Sequence, residues 1–366
     1  MTKWLLPLAL AGAAACASAN PTKPGVKLEA RLPATFAQLS NVVELSDGRV
    51  AFADTRERLL LVGDLKSGKL DTLGARTDSM PAAAAPALYR FPGWLAHLGG
   101  DTIALVDFAA LRTTLWNEKG EALSAVRMPD VAGHTPVLVY DRSGNGYKPD
   151  FTSIMGGAEP GMHPVLPDSI PLLRIQLATG RVDTVAHLAA PEYGDAIFGE
   201  QVQRVAKIFS PNDVFGVMPD GRLWIARGHE NRVDWRGPGG VWIRGTSREY
   251  QQVPVTDADR ERVIARVREQ AQGHLPDSMR LAWPFAEHKP PFDAGMTSPD
   301  GEVWLQRPRS GDDAPMVYDV YGPDAAWKRA VAFPANVTLA GFGARGAIYG
   351  VIKEGDRRTV GRFSIN

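Results

Sequence analysis

An all-β fold of six small antiparallel sheets set radially is predicted by three observations: a recurring turn phrase, a four-strand period of about 45 residues, and a composition rich in turn formers. The phrase reads "PDGRLWIAR" at 219–227, "PDGEVWLQR" at 299–307 and, more loosely, "SDGRVAFAD" at 46–54. Across 366 residues the chain carries 37 glycines, 28 prolines and nine tryptophans. Many short β-branched runs accompany them, a balance that favours turns and strands over helices.

Asp-Gly between two apolar-alternating runs is a strong hairpin signal, because a type I′ turn needs positive φ at both central residues. Asp47-Gly48, Asp220-Gly221 and Asp300-Gly301 therefore each predict strand, turn and strand. Weaker equivalents are Gly99-Gly100, "SGNG" at 143–146 and Arg345-Gly346, which brings the number of units to six. Third and fourth strands follow, as in "RLLLVGDLKSGKLDTLG" (58–74), "TTLWNEKGEALSAVRMP" (113–129) and "MVYDVYGPDAAWKRAVAFP" (316–334). The last unit, from Asn336, offers only "VTLAGFG", "AIYGVIK" and "TVGRFSIN". The unpartnered "VKLEARL" at 26–32 is expected to supply its missing strand and close the ring. Six four-stranded blades around a channel make a β-propeller, an arrangement that leaves only short, protected edges. A seventh blade would need a meander within 188–212 or 256–291, and neither segment alternates well enough.

Those phrases, with "PLLRIQLATGRVDTVAHL" (171–188) and "RAVAFPANVTLAGFGARGAIYGV" (329–351), make the chain resemble exported bacterial six-bladed β-propeller proteins. These fall in the broad group that includes NHL-repeat and gluconolactonase-like propellers. The resemblance spans nearly all of the chain after its first residues. Its motifs specify a scaffold and say little about function, because that fold hosts hydrolases, lyases and binding proteins alike.

The opening "MTKWLLPLALAGAAACASAN" sets Lys3 ahead of an apolar run at 4–15 and then Ala17-Ser18-Ala19, the layout of a signal peptide over 1–19. A single domain over 20–366 is expected beyond it. Cys16, the one cysteine, resembles a lipobox cysteine without the usual leucine three residues upstream. Lipid attachment at Cys16 and cleavage after Ala19 are both open. Either way an exported protein follows: periplasmic, outer-membrane-anchored or secreted. No run approaches the roughly 18 apolar residues of a transmembrane helix. With 41 basic and 41 acidic residues, net charge is zero, which argues against a nucleic-acid partner. Zinc-type histidine pairs, a Gly-x-Ser-x-Gly elbow, phosphate loops and dinucleotide fingerprints are all missing from the sequence.

Strand parity predicts which end works. Insertions at about 155–170, 189–211 and 256–291 all emerge at the end opposite the tight Asp-Gly turns, and long loops on a rigid scaffold commonly carry binding surfaces. The third opens with "TDADRERVIARVREQAQ", where Thr256 and Asp259 can cap a helix whose Val263, Ile264, Val267 and Ala271 form one stripe. That helix either lids the channel mouth or packs on the rim over the fourth blade. The first strands should bring Asn41, Pro92 or Gly93, His134, Asn212 with Asp213, Asp293 and Asn336 to the mouth. The gluconolactonase-like resemblance implies an axial divalent cation such as calcium there, with Asp213 and Asp293 as oxygen ligands. The glutamate that opens the first blade of those enzymes has no counterpart, since Asn41 is followed by Val42-Val43, and Glu44 lies further down. Asn and Asp side chains at such positions otherwise cap loops. His134, His163 and His288 are possible bases or donors. Arg227, Glu230 and Arg232 suit a carboxylate or sugar ligand, or else pair with one another. Trp116, Trp224 and Trp304 are expected between blades.

Three functions fit. The first is an exported propeller that binds a small molecule or protein at its loop-rich face without chemistry of its own. The others are a metal-assisted hydrolase or lyase of gluconolactonase-like type and a scaffold in a cell-envelope complex. Whether the protein is an enzyme is left open.

Overall fold

Among the described residues, six four-stranded antiparallel sheets, each built from strands consecutive in the chain except one, organise the protein. The computed structural model describes residues 25–99, 101–127, 137, 139–152, 167–237, 239–270 and 281–366. The first sheet runs Val43–Glu44, Val50–Asp54, Leu59–Gly63 and Leu70–Leu73. The second is Pro92–His97, Thr102–Asp107, Arg112–Asn117 and Ala122–Arg127. The third is Val139–Tyr140, Asn145–Pro149, Ser169–Gln176 and Val182–Ala189. Val214–Val217, Leu223–Arg227, Arg232–Arg236 and Trp242–Ile243 make the fourth. Ala294–Thr297, Val303–Gln306, Met316–Tyr321 and Trp327–Phe333 make the fifth.

The sixth sheet is the exception. Val337–Phe342, Ile348–Glu354 and Arg357–Ile365 take their fourth strand from the other end of the chain, Val26–Arg31. The pairing with Arg357–Ile365 is antiparallel, from Val26 opposite Ile365 to Arg31 opposite Gly361, with a bulge between Leu28 and Ala30. All-β architecture with several such sheets fits a β-propeller.

Buried side chains gather between successive sheets. One apolar cluster joins Leu60 and Tyr89 to Leu105 and Trp116, between the first and second sheets. Others join second to third through Val106 and Ile175, third to fourth through Leu172 and Ile225, and fourth to fifth through Trp224 and Val303. The fifth meets the sixth through Trp304 and Phe363, and the sixth meets the first through Tyr349 and Phe52. Trp116, Trp224 and Trp304 thus pack between sheets as expected, and Trp235, 2% exposed on a strand, is a fourth. Gly341 marks the sixth-to-first contact: Val42 donates its amide to Ala340 at 2.8 Å, and a β-carbon on Gly341 would overlap the Val42 carbonyl.

The Asp-Gly phrases are turns, but of another type. Leu45, Met218 and Ser298 each accept from the glycine three residues on and donate to the carbonyl of the residue after it. Only the glycine is left-handed, with φ of 84°, 83° and 83° at Gly48, Gly221 and Gly301. This is a three-residue loop closed by a glycine bulge. The aspartate has ordinary negative φ and acts through its side chain instead: Asp47 and Asp220 accept the amides of Arg49 and Arg222 at 3.0 and 3.1 Å.

Two further sheets are small. Ala75–Arg76 pairs in parallel with Leu88–Tyr89. Tyr193–Phe198 and Gln201–Ala206 form a hairpin whose other edge holds Leu281–Ala282. The sequence did not anticipate this three-stranded sheet, because its strands come from two insertions about 80 residues apart and the last is two residues long.

Candidate functional site

The insertions at 189–211 and 256–291 meet. Besides sharing the small sheet, they join where Ile208 donates to Pro284 and accepts from Ala286, at 2.8 and 2.9 Å. Phe198 and Phe209 face Trp283 and Phe285 across the same seam. Of the insertion at about 155–170, residues 153–166 lie outside the described residues, and so do Cys16, His134 and His163.

The helix forms at Asp257–Gln270 for the reason its sequence suggests. Thr256 Oγ1 accepts the Asp259 amide at 3.2 Å, and Asp259 Oδ2 accepts the Thr256 amide at 3.1 Å, a reciprocal cap. Asp259 does more than cap. Its Oδ1 accepts from Lys289 Nζ at 2.9 Å, with the two side chains 5% and 8% exposed. Lys289 Nζ also donates to the Arg309 carbonyl at 2.9 Å and lies 5.6 Å from the Phe209 ring. Burial alone would raise the Asp259 carboxyl, but hydrogen bonds from Lys289 and Thr256 outweigh it and hold it down to about 2. Arg262 adds contacts to Asp259 at 3.2 Å and Asp312 at 3.6 Å. The helix is thereby fastened to residues on either side of the fifth sheet's first two strands.

Between this helix and the end of the fifth sheet lies a cavity of about 580 Å³. Val263 and Val267, half-buried, form part of the helical wall together with Arg266. Gln306, Met316 and Asp293 line the sheet side, and Ile208 and Phe209 close one end. Asp293 is open to water yet crowded by surrounding protein; that crowding raises its carboxyl, against the pull of Lys289 and Arg309. A second hollow of about 410 Å³ on the other side of the 307–315 loop shares Arg309, but its arginines are engaged. Arg307 makes a two-pronged contact with Asp319 at 2.7 and 2.8 Å, and Arg248 stacks on Trp327 at 4.2 Å.

Several of the other residues expected at the mouth have structural partners. Asn41 is a clamp between the first two sheets: its Nδ2 donates to the Leu95 carbonyl at 2.7 Å and its Oδ1 accepts the Leu95 amide at 2.9 Å. Asp213 is unavailable as a metal ligand. Its carboxylate, 1% exposed, accepts from Arg227 at 2.6 Å, the Ala189 amide at 2.8 Å and the Gly228 amide at 3.1 Å. Asn336 is exposed and donates to the Lys353 carbonyl at 3.2 Å. Asn212 is exposed, and its backbone packs against Gly228. His288 is half-buried in a bridge with Pro254. Arg232 is no ligand donor either, since it is buried against Asp234 at 2.9 Å and Glu230 at 3.1 Å. Burial alone would raise Asp234; Arg232, Arg227 and the Gly245 amide overcome that and hold it low. Among the described residues no three His, Cys, Asp or Glu side chains are placed to hold a metal ion.

Two carboxylates that the sequence reading passed over serve the scaffold. Asp54 accepts from the amides of Ala37, Gln38, Arg56 and Glu57 at 3.0 to 3.3 Å. Asp107 accepts from Arg90, Phe91 and Ala110 at 2.9 to 3.1 Å. Their shared signal was an aspartate ending a buried second strand, "VAFAD" and "IALVD".

Comparison with known proteins yields likeness of fold. No family model matches the chain, and no curated protein matches it. A solved member of the DUF4221 family from Bacteroides vulgatus superposes with a TM-score of 0.51 at 10% identity, over 94% of this chain and 99% of that one. A gluconolactonase from Xanthomonas campestris gives 0.43 at 12%, over 94% and 95%. Regucalcin, a calcium-binding protein from Agrobacterium tumefaciens, gives 0.43 at 11%, over 92% and 94%. No helix among the described residues is long and apolar enough to cross a membrane.

Proposed function

We propose that the protein is an exported six-bladed β-propeller that binds a small polar molecule in the cavity between the helix Asp257–Gln270 and the end of the fifth sheet. The observation that carries this reading is the cavity itself, whose about 580 Å³ falls within the usual span of small-ligand sites. It is walled by two insertions that pack on one another and by a helix tied down through a buried ion pair. The closed six-blade ring is supported by six apolar clusters between successive sheets, the last joining the sixth to the first. Pairing of the two chain ends supports it further. Export is supported by the charged, apolar and small-residue order of 1–19.

The test is to fill the cavity. Val263→Trp places an indole on the helical wall, and thermal unfolding is then followed with a panel of sugars, organic acids, amino acids and short peptides. At least one class should stabilise the unaltered protein and leave the variant unaffected. If no compound distinguishes the two proteins, the cavity is not a binding site.

A further inference from the structure

Within the cavity nearly every charged group is already paired. Lys289 is held by Asp259 and the Arg309 carbonyl. Arg309 is held by the carbonyls of Asp312 and Ala335 at 2.8 and 3.2 Å. Arg262 bridges Asp259 and Asp312. Two ionisable side chains of the lining remain without a hydrogen bond or ion pair among the described residues: Arg266 on the helix and Asp293 on the sheet side. They carry opposite charge and stand on different walls. The same lining is partly apolar, from Val263, Val267 and Met316.

In one shared cavity an anion alone would leave Asp293 without a partner, and a cation alone would do the same to Arg266. Each mismatch costs a repulsion as well as a lost partner. A guanidinium suits a carboxylate because its forked donors match two acceptor oxygens, and a carboxylate suits an ammonium. Resting on the binding reading above, we propose that the cavity takes a zwitterionic amino acid or short peptide, with its carboxylate on Arg266 and its ammonium on Asp293. The apolar strip then receives the aliphatic body.

The probes are dialanine and trialanine with free termini, their N-acetylated and C-amidated forms, and succinate as a dianion of similar reach. Calorimetric titration of the full exported chain should show binding of a free peptide, weakened at least about tenfold by either cap. Asp293→Asn should erase the penalty for acetylation and leave that for amidation, and Arg266→Gln should do the reverse. Capped peptides or succinate binding as tightly as the zwitterion would overturn the inference, and so would no binding by any free peptide. If succinate binds and Val263→Trp blocks it, the cavity reading survives and the zwitterion falls. Arg266 and Asp293 could instead pair with each other when the helix moves inward. A double-mutant cycle on ligand-free stability excludes that if the two changes are additive, and coupling beyond about threefold would overturn the assignment.

Discussion

Lys289→Met tests how the helix is held. The substitution keeps the length and the apolar stem but removes the ammonium, so Asp259 loses its 2.9 Å partner and the Arg309 carbonyl loses a donor. Stripping one member from a buried ion pair costs roughly 3–5 kcal/mol. The lower end, about 3 kcal/mol, applies because Thr256 and Arg262 still donate to Asp259. If the helix opens as a local unit, its amides should exchange with deuterated solvent about 100-fold faster, and the amides of Val50–Asp54 should be unchanged. A second variant, Asp259→Asn, removes the other charge, and the double variant should cost less than the sum of the two. Acid gives an independent reading. Asp259 is lowered from 3.8 to about 2, so its contribution, about 2 kcal/mol, is complete above about pH 4 and disappears as pH falls toward 2. Lys289→Met should flatten that window. Exchange less than threefold faster, or additive single variants, would refute the argument that this pair anchors the helix.

Other positions give sharp outcomes. Gly341→Ala should destabilise by about 3 kcal/mol in urea unfolding, since its β-carbon would overlap the Val42 carbonyl between the sixth and first sheets. Asn41→Ala should cost about 2 kcal/mol through two lost bonds to Leu95, with no change in ligand affinity. Arg58, at φ 57°, should tolerate glycine with a gain of about 0.5 kcal/mol in the same assay, because relief of the left-handed conformation exceeds glycine's entropic cost. Asp213→Ala should lower stability by about 3 kcal/mol while leaving any metal content untouched, since its carboxylate is occupied by Arg227 and two amides.

Local signals in the sequence proved the most legible. The turns at Gly48, Gly221 and Gly301 and the Thr256–Asp259 cap each depend on residues within a few positions, so composition and spacing reveal them. The strand at 26–32 was legible for another reason: an alternating run with no neighbour to pair with must find one elsewhere. The turn type was misjudged because only the glycine needs the left-handed region, and Asp47 and Asp220 serve as side-chain acceptors. The partners of the expected mouth residues were not legible where they are distant in sequence. Nothing around Asn41 reveals that Leu95 will take both ends of its amide, and nothing around Asp213 reveals Arg227 in the neighbouring strand. Asp293 differs because its side chain makes no hydrogen bond or ion pair among the described residues. The small sheet escaped notice since Leu281–Ala282 is too short to register as a strand without Tyr193–Phe198 beside it.

Whether the chain closes on itself is tested most directly by a cross-link between its ends. Lys27 and Ser364 are direct partners on Val26–Arg31 and Arg357–Ile365, so Lys27→Cys with Ser364→Cys, in a Cys16→Ala background, places two thiols opposite each other. A closed ring predicts complete oxidation in mild conditions and a folded state stabilised by up to about 5 kcal/mol, as expected for a bond closing so long a loop. Two thiols that stay reduced and react freely with a labelling reagent in the folded protein would contradict the ring, and with it the placement of the cavity at its end.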